Sequence, residues 1–164
     1  MTPSALIPLD PRNLSLLWAS PERVPDIAAL HVRLFDPPWD ADSIGRLIEH
    51  PAAAAFVAQV REPKAVAGFV IGQIAADQAE ILSIGVAPEW QRRGIARQMV
   101  EGLIRAARRA EVERLFLEVA ADNSGAIALY EQAGFARVGR RSGYYRRRSG
   151  EGADAIVMRQ TLNS

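Results

Sequence analysis

The stretch from Ile81 to Arg97, ILSIGVAPEWQRRGIAR, restricts the possible folds more than any other part of this chain. It opens as an apolar run of strand length, crosses a turn marked by Pro88, and enters a segment whose apolar residues Ile95, Met99, Leu103 and Ala107 recur every four positions. Arg97, Glu101, Arg105 and Arg108 fall on the other side, so this segment is a helix with one face in a core. Its opening, Gln91-Arg92-Arg93-Gly94-Ile95-Ala96, places two arginines and a glycine where the first backbone N–H groups have no intrahelical partner. That is an anion site, and a phosphate suits it.

The spacing narrows the choice of phosphate compound. A P-loop needs Gly-Lys-Ser/Thr at the end of its loop, and a dinucleotide fingerprint needs glycines on both flanks of the turn. Neither is present. The chain has instead Gln/Arg-x-x-Gly-x-Gly/Ala, with Gln91, Gly94 and Ala96 at the defining positions directly after an apolar strand. Alone, this pattern fits an ordinary arginine-rich helix start equally well, so its surroundings must decide.

The 164 residues suffice for one domain with a real core and are few for two. A net charge of +1 gives no compositional reason to expect direct nucleic-acid binding, and Lys64 is the sole lysine beside many arginines. Cysteine is absent, which removes disulfides, thiolate metal sites and a cysteine nucleophile. Two histidines in different contexts do not build a zinc site, so no metal is expected. No apolar run reaches the ~20 residues of a membrane span, and the first residues lack a signal-peptide pattern. The expected location is therefore cytoplasmic, with no membrane partner.

Residues 1–13 carry three prolines and little periodicity, which reads as a loosely ordered leader before a single domain over 14–164. A short strand is expected over Leu14 to Ala19, then a helix over Val24 to Phe35 with His31 on its apolar face as a packed, hydrogen-bonded residue. Asp36-Pro37-Pro38-Trp39 ends that helix, and Asp40 caps a second one. Strands follow over Ala53 to Val60, Ala65 to Ala75 and Ala79 to Val86, with Gly85 near the end of the third marking a bulge or a close approach. After the central helix come a strand over Arg114 to Ala120, a short helix over Ala126 to Ala133, and strands over Phe135 to Tyr145 and Ala155 to Leu162. The expected order is β-α-α-β-β-β-α-β-α-β-β.

Two residues stand out chemically. Glu118 interrupts an apolar strand, where a carboxylate is costly unless it is paired to an arginine or has a chemical role. Tyr130 lies in the short helix twelve residues later, where a tyrosine taken alone belongs to the core.

Together these residues make a recognisable set. Gln91-x-x-Gly94-x-Ala96 after its strand resembles the GNAT superfamily of acyl-CoA-dependent N-acetyltransferases. Leu117-Glu118-Val119, Asn123, Ala126-Ile127-Ala128-Leu129-Tyr130-Glu131, Gly134-Phe135, Tyr144-Tyr145 and Asp154 to Met158 resemble the bacterial ribosomal-protein alanine N-acetyltransferases of the RimI type. Phe35 with Pro38-Trp39 is similar to the aromatic Pro-Trp signature of that family, so the resemblance spans roughly residues 14 to 162. It implies a GNAT fold, a mixed and mainly antiparallel twisted sheet flanked by helices, with coenzyme A in the splay after the fourth strand. It further implies Glu118 as proton acceptor and Tyr130 as proton donor. Cofactor contacts would come from Ile84, Gly85, Val86, the turn Gln91, Arg92, Arg93, Gly94, Ile95, Ala96 and Arg97, and Asn123. Val86 N–H would face the oxyanion, and Trp39 and Tyr144 would wall the acceptor groove.

The chain departs from the family on the acceptor side. Ala120 stands where the family has an arginine, Gly143-Tyr144-Tyr145-Arg146 replaces Asn-Tyr-Tyr-Pro, and Ala153 replaces a carboxylate. The implied activity is acetyl transfer from acetyl-CoA to a protein N-terminal amine, alanine or serine of a ribosomal protein. A small-amine acetyltransferase and a non-catalytic acyl-CoA-binding module remain as alternatives. Arg137, Arg140, Arg141, Arg146, Arg147 and Arg148 read either as a solvated basic turn or as a docking patch for an acidic partner.

Overall fold

The computed structural model describes residues 8–146 and 152–162. Seven strands form one sheet in the order β1-β2-β3-β4-β5-β7-β6. The strands are β1 (Leu14–Trp18), β2 (Ala53–Val60), β3 (Ala65–Ala75), β4 (Gln78–Val86), β5 (Arg114–Ala120), β6 (Ala136–Arg146) and β7 (Gly152–Thr161). The helices are α1 (Val24–Leu34), α2 (Ala41–Glu49), α3 (Ile95–Arg109) and α4 (Ser124–Gln132). The expected order of elements is therefore present, with ends moved by a residue or two except at β7, which begins at Gly152 rather than Ala155.

Each face of the sheet carries its own core. Ile95, Met99, Leu103 and Ala107 of α3, with Ile127 and Tyr130 of α4, pack on Ala54, Phe56, Val70, Ile81 and Leu117. On the other face Ile27 and Leu30 of α1 and Ile44 and Ile48 of α2 cover Ala55, Val57, Phe69 and Ile71. The period-2 alternation of β2 divides its residues between the two cores, as a sheet covered on both sides requires. Asp40 caps α2 as expected, its carboxylate accepting from the Ser43 N–H at 2.8 Å.

Residues 8–13 differ from the expected loose leader, of which residues 1–7 lie outside the described residues. Leu9 is buried in the α3-side core and its N–H donates to Arg93 O at 2.9 Å. The Asn13 side chain bridges to Glu62 through its amide N–H and its carbonyl oxygen.

One feature of the sheet positions everything else. All pairings are antiparallel except β4 with β5, which run parallel from Gln78–Arg114 to Ile81–Leu117 and then part. The bulge of β4 lies at this point, since Gly72 pairs Ile81 while Ile71 pairs Ser83, leaving Leu82 extra. The bulge is thus placed earlier than Gly85, where a bulge or a close approach is expected. Gly85 pairs in register with Phe69, and its role is close approach: a Cβ there would lie 2.7 Å from Leu34 Cδ1.

Glycine also governs the β3–β4 contact. A Cβ at Gly68 would stand 2.8 Å from the backbone oxygen of Gly85 and 3.0 Å from Met99 Cε, whereas one at Gly45 in α2 would meet nothing within 4 Å. Gly68→Ala should therefore cost about 1–3 kcal/mol by overpacking. Gly45→Ala should add about 0.5–1 kcal/mol by removing a flexible helix residue. Thermal or denaturant unfolding of the two variants beside the wild type checks the opposite signs.

Candidate active site

The parting of β4 and β5 opens a gap through the sheet, and two cavities meet in it. The smaller, about 470 Å³, is lined by the end of β4, the turn before α3 and the face of α4. The larger, about 760 Å³, is lined by the α1–α2 connection, the open flank of β5 and the tyrosines of β6. Ile84, Asn123 and Tyr130 belong to both.

The β4 edge facing the gap follows from ladder geometry. Ala87 N–H donates to Ala67 O at 2.8 Å, and residues alternate along an antiparallel ladder in the edge to which they turn their polar groups. Gly85 is therefore turned toward β3, and the N–H and C=O groups of Ile84 and Val86 are turned into the gap. The Val86 carbonyl is occupied by Gln91 Nε2 at 2.9 Å, which leaves the Val86 N–H. Gln91 thus ties the turn to the strand rather than reaching outward.

Past that turn, Arg92 and Gly94 adopt φ of 63° and 85°, and Gly94 is the N-cap of α3. The helix begins at Ile95, so Gln91 to Arg93 precede it rather than opening it. Of the residues expected to contact the cofactor, Ile84, Gly85, Val86, Gln91, Arg92, Gly94, Ile95, Ala96, Arg97 and Asn123 line the smaller cavity. Arg93 is not among them, and its guanidinium lies 5.0 Å from the Trp90 ring centroid. Arg97 pairs with Glu101 at 2.8 Å along the helix. Asn123 caps α4, its side-chain oxygen accepting from the Ala126 N–H at 3.2 Å, which leaves the amide NH2 to offer.

The larger cavity holds Glu118, Trp39 and Tyr144 beside Tyr130. Glu118 projects from the face of β5 opposite Leu117 and Val119, and its Oε1 accepts from Arg141 Nη1 at 2.7 Å, with 20% of its side chain exposed. Arg141 comes from β6 and also lies 4.2 Å from the Tyr144 ring centroid. The arginine that sequence comparison finds missing at position 120 is therefore matched by one arriving from another strand. Asp154 steadies that strand, accepting from Arg140 Nε at 2.7 Å and from the Gly143 N–H at 2.8 Å. The expected basic cluster is largely neutralised where it is described, since Arg137 pairs with Glu131, Arg140 with Asp154 and Arg141 with Glu118. Arg147 and Arg148 and the side chain of Arg146 lie outside the described residues.

Burial sets the tyrosine chemistry. Tyr130 is buried, with its ring edge-on to Phe135 at 5.9 Å. Desolvation first, and Tyr145 second, push its phenol well above the ordinary value. Tyr145 is pushed up to about 12 by burial and then by the charge of Glu118. Both phenols therefore keep their protons at neutral pH.

His31 shapes the remaining wall. It is 2% exposed and stacked between Phe35, at 4.2 Å between centroids, and Trp39, at 4.9 Å. Its Nδ1 accepts from the Trp39 N–H at 2.9 Å, and Nε2 lies 3.1 Å from Ser83 Oγ. Sequence reasoning identified the packed histidine but missed Ser83, Arg141 and Tyr145 as site residues. The available signal for Ser83 was that it is the one hydroxyl in the apolar run Ile81 to Val86.

Residues 24–135 match the model of the acetyltransferase (GNAT) family. A [ribosomal protein bS18]-alanine N-acetyltransferase of Escherichia coli (strain K12) is 40% identical over 100 residues, which cover 61% of this chain and 67% of that protein. An N-alpha-acetyltransferase RimI of Mycobacterium tuberculosis (strain ATCC 25618 / H37Rv) is 37% identical over 139 residues, covering 81% of this chain and 83% of that one. Among solved structures, the ribosomal-protein-S18-alanine N-acetyltransferase from Escherichia coli superposes with a TM-score of 0.83 at 29% identity, over 92% of this chain and 95% of that chain.

Burial lowers the His31 pKa from 6.5 to about 4, so the neutral ring is the native form. The unfolded chain binds the proton more tightly, so this contribution to stability is complete above pH 6.5 and is lost as pH falls toward 4. At about 1.36 kcal/mol per pKa unit the loss is roughly 3 kcal/mol, and His31→Gln, which does not titrate there, should flatten that limb. Unfolding free energies measured from pH 7.5 to 4 compare the two slopes.

Proposed function

This chain belongs to the acetyltransferase (GNAT) family and is an acyl-CoA-dependent N-acetyltransferase, and on that footing we propose that it acetylates the N-terminal amine of a protein, alanine or serine of a ribosomal protein. The observation that carries the reading is the meeting of two cavities at Tyr130, one ending at the α3 turn and the other holding Glu118. The acceptor class draws support from the relatives, whose names specify a ribosomal-protein alanine and an N-alpha amine.

In this reading the smaller cavity takes acetyl-CoA. Unpaired N–H groups at the start of α3, with Arg92 and Arg97, suit the pyrophosphate, and the gap-facing edge at Ile84 and Val86 suits the amide-bearing arm that follows. The thioester then lies near Tyr130, where the two cavities join. The acceptor enters the larger cavity between Trp39 and Tyr144.

The chemistry needs a proton moved at each end. An N-terminal amine, with a pKa near about 8, is mostly an ammonium at pH 7, so Glu118 first takes its proton. One oxygen of Glu118 is on Arg141, and the other is the one that can meet the ammonium. The freed amine attacks the thioester carbon, forming the C–N bond, and the Val86 N–H faces the oxygen that gains charge. As the C–S bond breaks, Tyr130 hydrogen-bonds to the departing sulfur and supplies its proton, and the proton that the attacking nitrogen must lose to become an amide restores the phenol. A buried phenol is a weaker acid than a thiol, so this donation is uphill unless the sulfur is itself desolvated. Tyr130 therefore acts chiefly by stabilising the sulfur while charge develops.

Glu118→Gln and Tyr130→Phe should each lower kcat by about 10²- to 10⁴-fold while acetyl-CoA affinity stays nearly constant. Turnover near wild type in both variants across pH would remove the proposed acid and base. A mass-spectrometric panel of short peptides beginning with Ala, Ser or Met, run beside spermidine and free lysine, tests the acceptor. Acetyl on peptide N-termini is the expected result, and acetyl on small amines alone would overturn the acceptor assignment while keeping the family chemistry.

A further inference from the structure

We propose that Ser83 is a positioning residue for the acceptor, donating a hydrogen bond to the carbonyl oxygen of its first residue; the inference rests on the reading that the larger cavity receives a protein N-terminus. The bulge at Leu82 interrupts the alternation of β4, so that Leu82 joins the α1-side core and Ser83 meets His31 of α1 on that same side. Glu118 faces that side from β5 across the gap, opposite in direction to Leu117 and Val119 of the α3-side core. A carboxylate and a hydroxyl thus stand on the two walls of one groove.

The direction of the hydroxyl follows from the far side of the imidazole. A backbone N–H only donates, so His31 Nδ1, which contacts the Trp39 N–H, is an acceptor and carries no proton. The neutral ring then holds its proton on Nε2 and donates it to Ser83 Oγ, 3.1 Å away. A hydroxyl has one proton and two lone pairs, and this bond uses a lone pair. Ser83 is 7% exposed, and His31 is its one hydrogen-bond partner among the described residues. Its own proton is therefore uncommitted on the wall of a cavity, where a buried donor calls for an acceptor.

The ring cannot trade roles, because Phe35 and Trp39 clamp it on both faces and Trp39 N–H fixes its tautomer. His31 accordingly acts through Ser83 and does not touch the acceptor. A protein N-terminus presents an ammonium and, three bonds along, a carbonyl oxygen. Glu118 accepts from the first and Ser83 donates to the second. A polyamine offers nothing to the hydroxyl, so the pair favours an α-amino group beside a carbonyl, as at the start of a peptide, over a polyamine. A site built to bond such a group rejects ligands that lack it.

The test is steady-state kinetics of Ser83→Ala and Ser83→Thr with a short peptide beginning with alanine, varying peptide and acetyl-CoA in turn. Ser83→Ala should raise the peptide KM about tenfold, one neutral hydrogen bond's worth, with kcat and the acetyl-CoA KM little changed. Ser83→Thr, which keeps the hydroxyl, should restore the peptide KM. Should Ser83→Ala fail to fold because the His31 N–H loses its partner, Ser83→Cys keeps a weak acceptor for that N–H with a poorer donor than the hydroxyl, and should raise the peptide KM in the same direction by a smaller factor. Equal rises in both KM values, or a peptide KM unchanged in a folded variant, would overturn the role of Ser83 while leaving N-terminal acetylation standing. If the wild type acetylates spermidine and no peptide, the acceptor reading fails and the Ser83 contact fails with it, since no carbonyl is then present.

Discussion

The architecture depends on the point where β4 and β5 stop pairing. Parallel strands held together over four residue pairs, Gln78–Arg114 to Ile81–Leu117, part because the extra residue Leu82 bends β4 away at that position. Had the ladder continued, the N–H and C=O groups of Ile84 and Val86 would be spent on β5. Because it ends, they border a gap whose polar edge requires partners, and the sheet becomes permeable between its two faces. The turn before α3 is then held at one end of the gap by the Gln91 amide on Val86 O. Tyr130 closes the other side from α4.

Two cores of different origin flank this gap. The α3-side core joins α3 and α4 to the sheet, and the α1-side core joins α1 and α2. Both reach the gap with apolar residues, Val86 and Tyr130 from the first and Phe35 and Trp39 from the second, and the polar groups there stand between them. Glu118 pairs there with Arg141, and His31 with Ser83 and the Trp39 N–H, while the Ser83 proton stays uncommitted. The same pairing that makes burial tolerable fixes the orientation of each group toward the cavity.

The sequence was informative where the signal is local. The strand–turn–helix from Ile81 to Arg97, the capping by Asp40, and the element order are set by periodicity and turn chemistry within a few residues, and all are present. Glu118 stands out as a carboxylate in an apolar strand, whereas Tyr130, a core residue when taken alone, is joined to it by the family resemblance of the continuous stretch that holds both. Glycine marks either a bulge or a close approach, and Gly85 is the second, whereas the bulge falls on Leu82 and is visible only in the register with β3. The Glu118–Arg141 pair joins residues 23 apart in sequence and the His31–Ser83 pair residues 52 apart, and no local pattern encodes either. Arg93 was grouped with its neighbours by motif, yet a stack on Trp90 and the anchoring of Leu9 place it apart.

The two cavities extend from a common wall, one toward the turn before α3 and the other toward the α1–α2 connection and β6, and Leu34, Phe35, Ile84, Asn123, Ala126 and Tyr130 line both. Occupants of the two would meet along that shared wall. A group that passes from one to the other has to pass there, so both occupants must be present together.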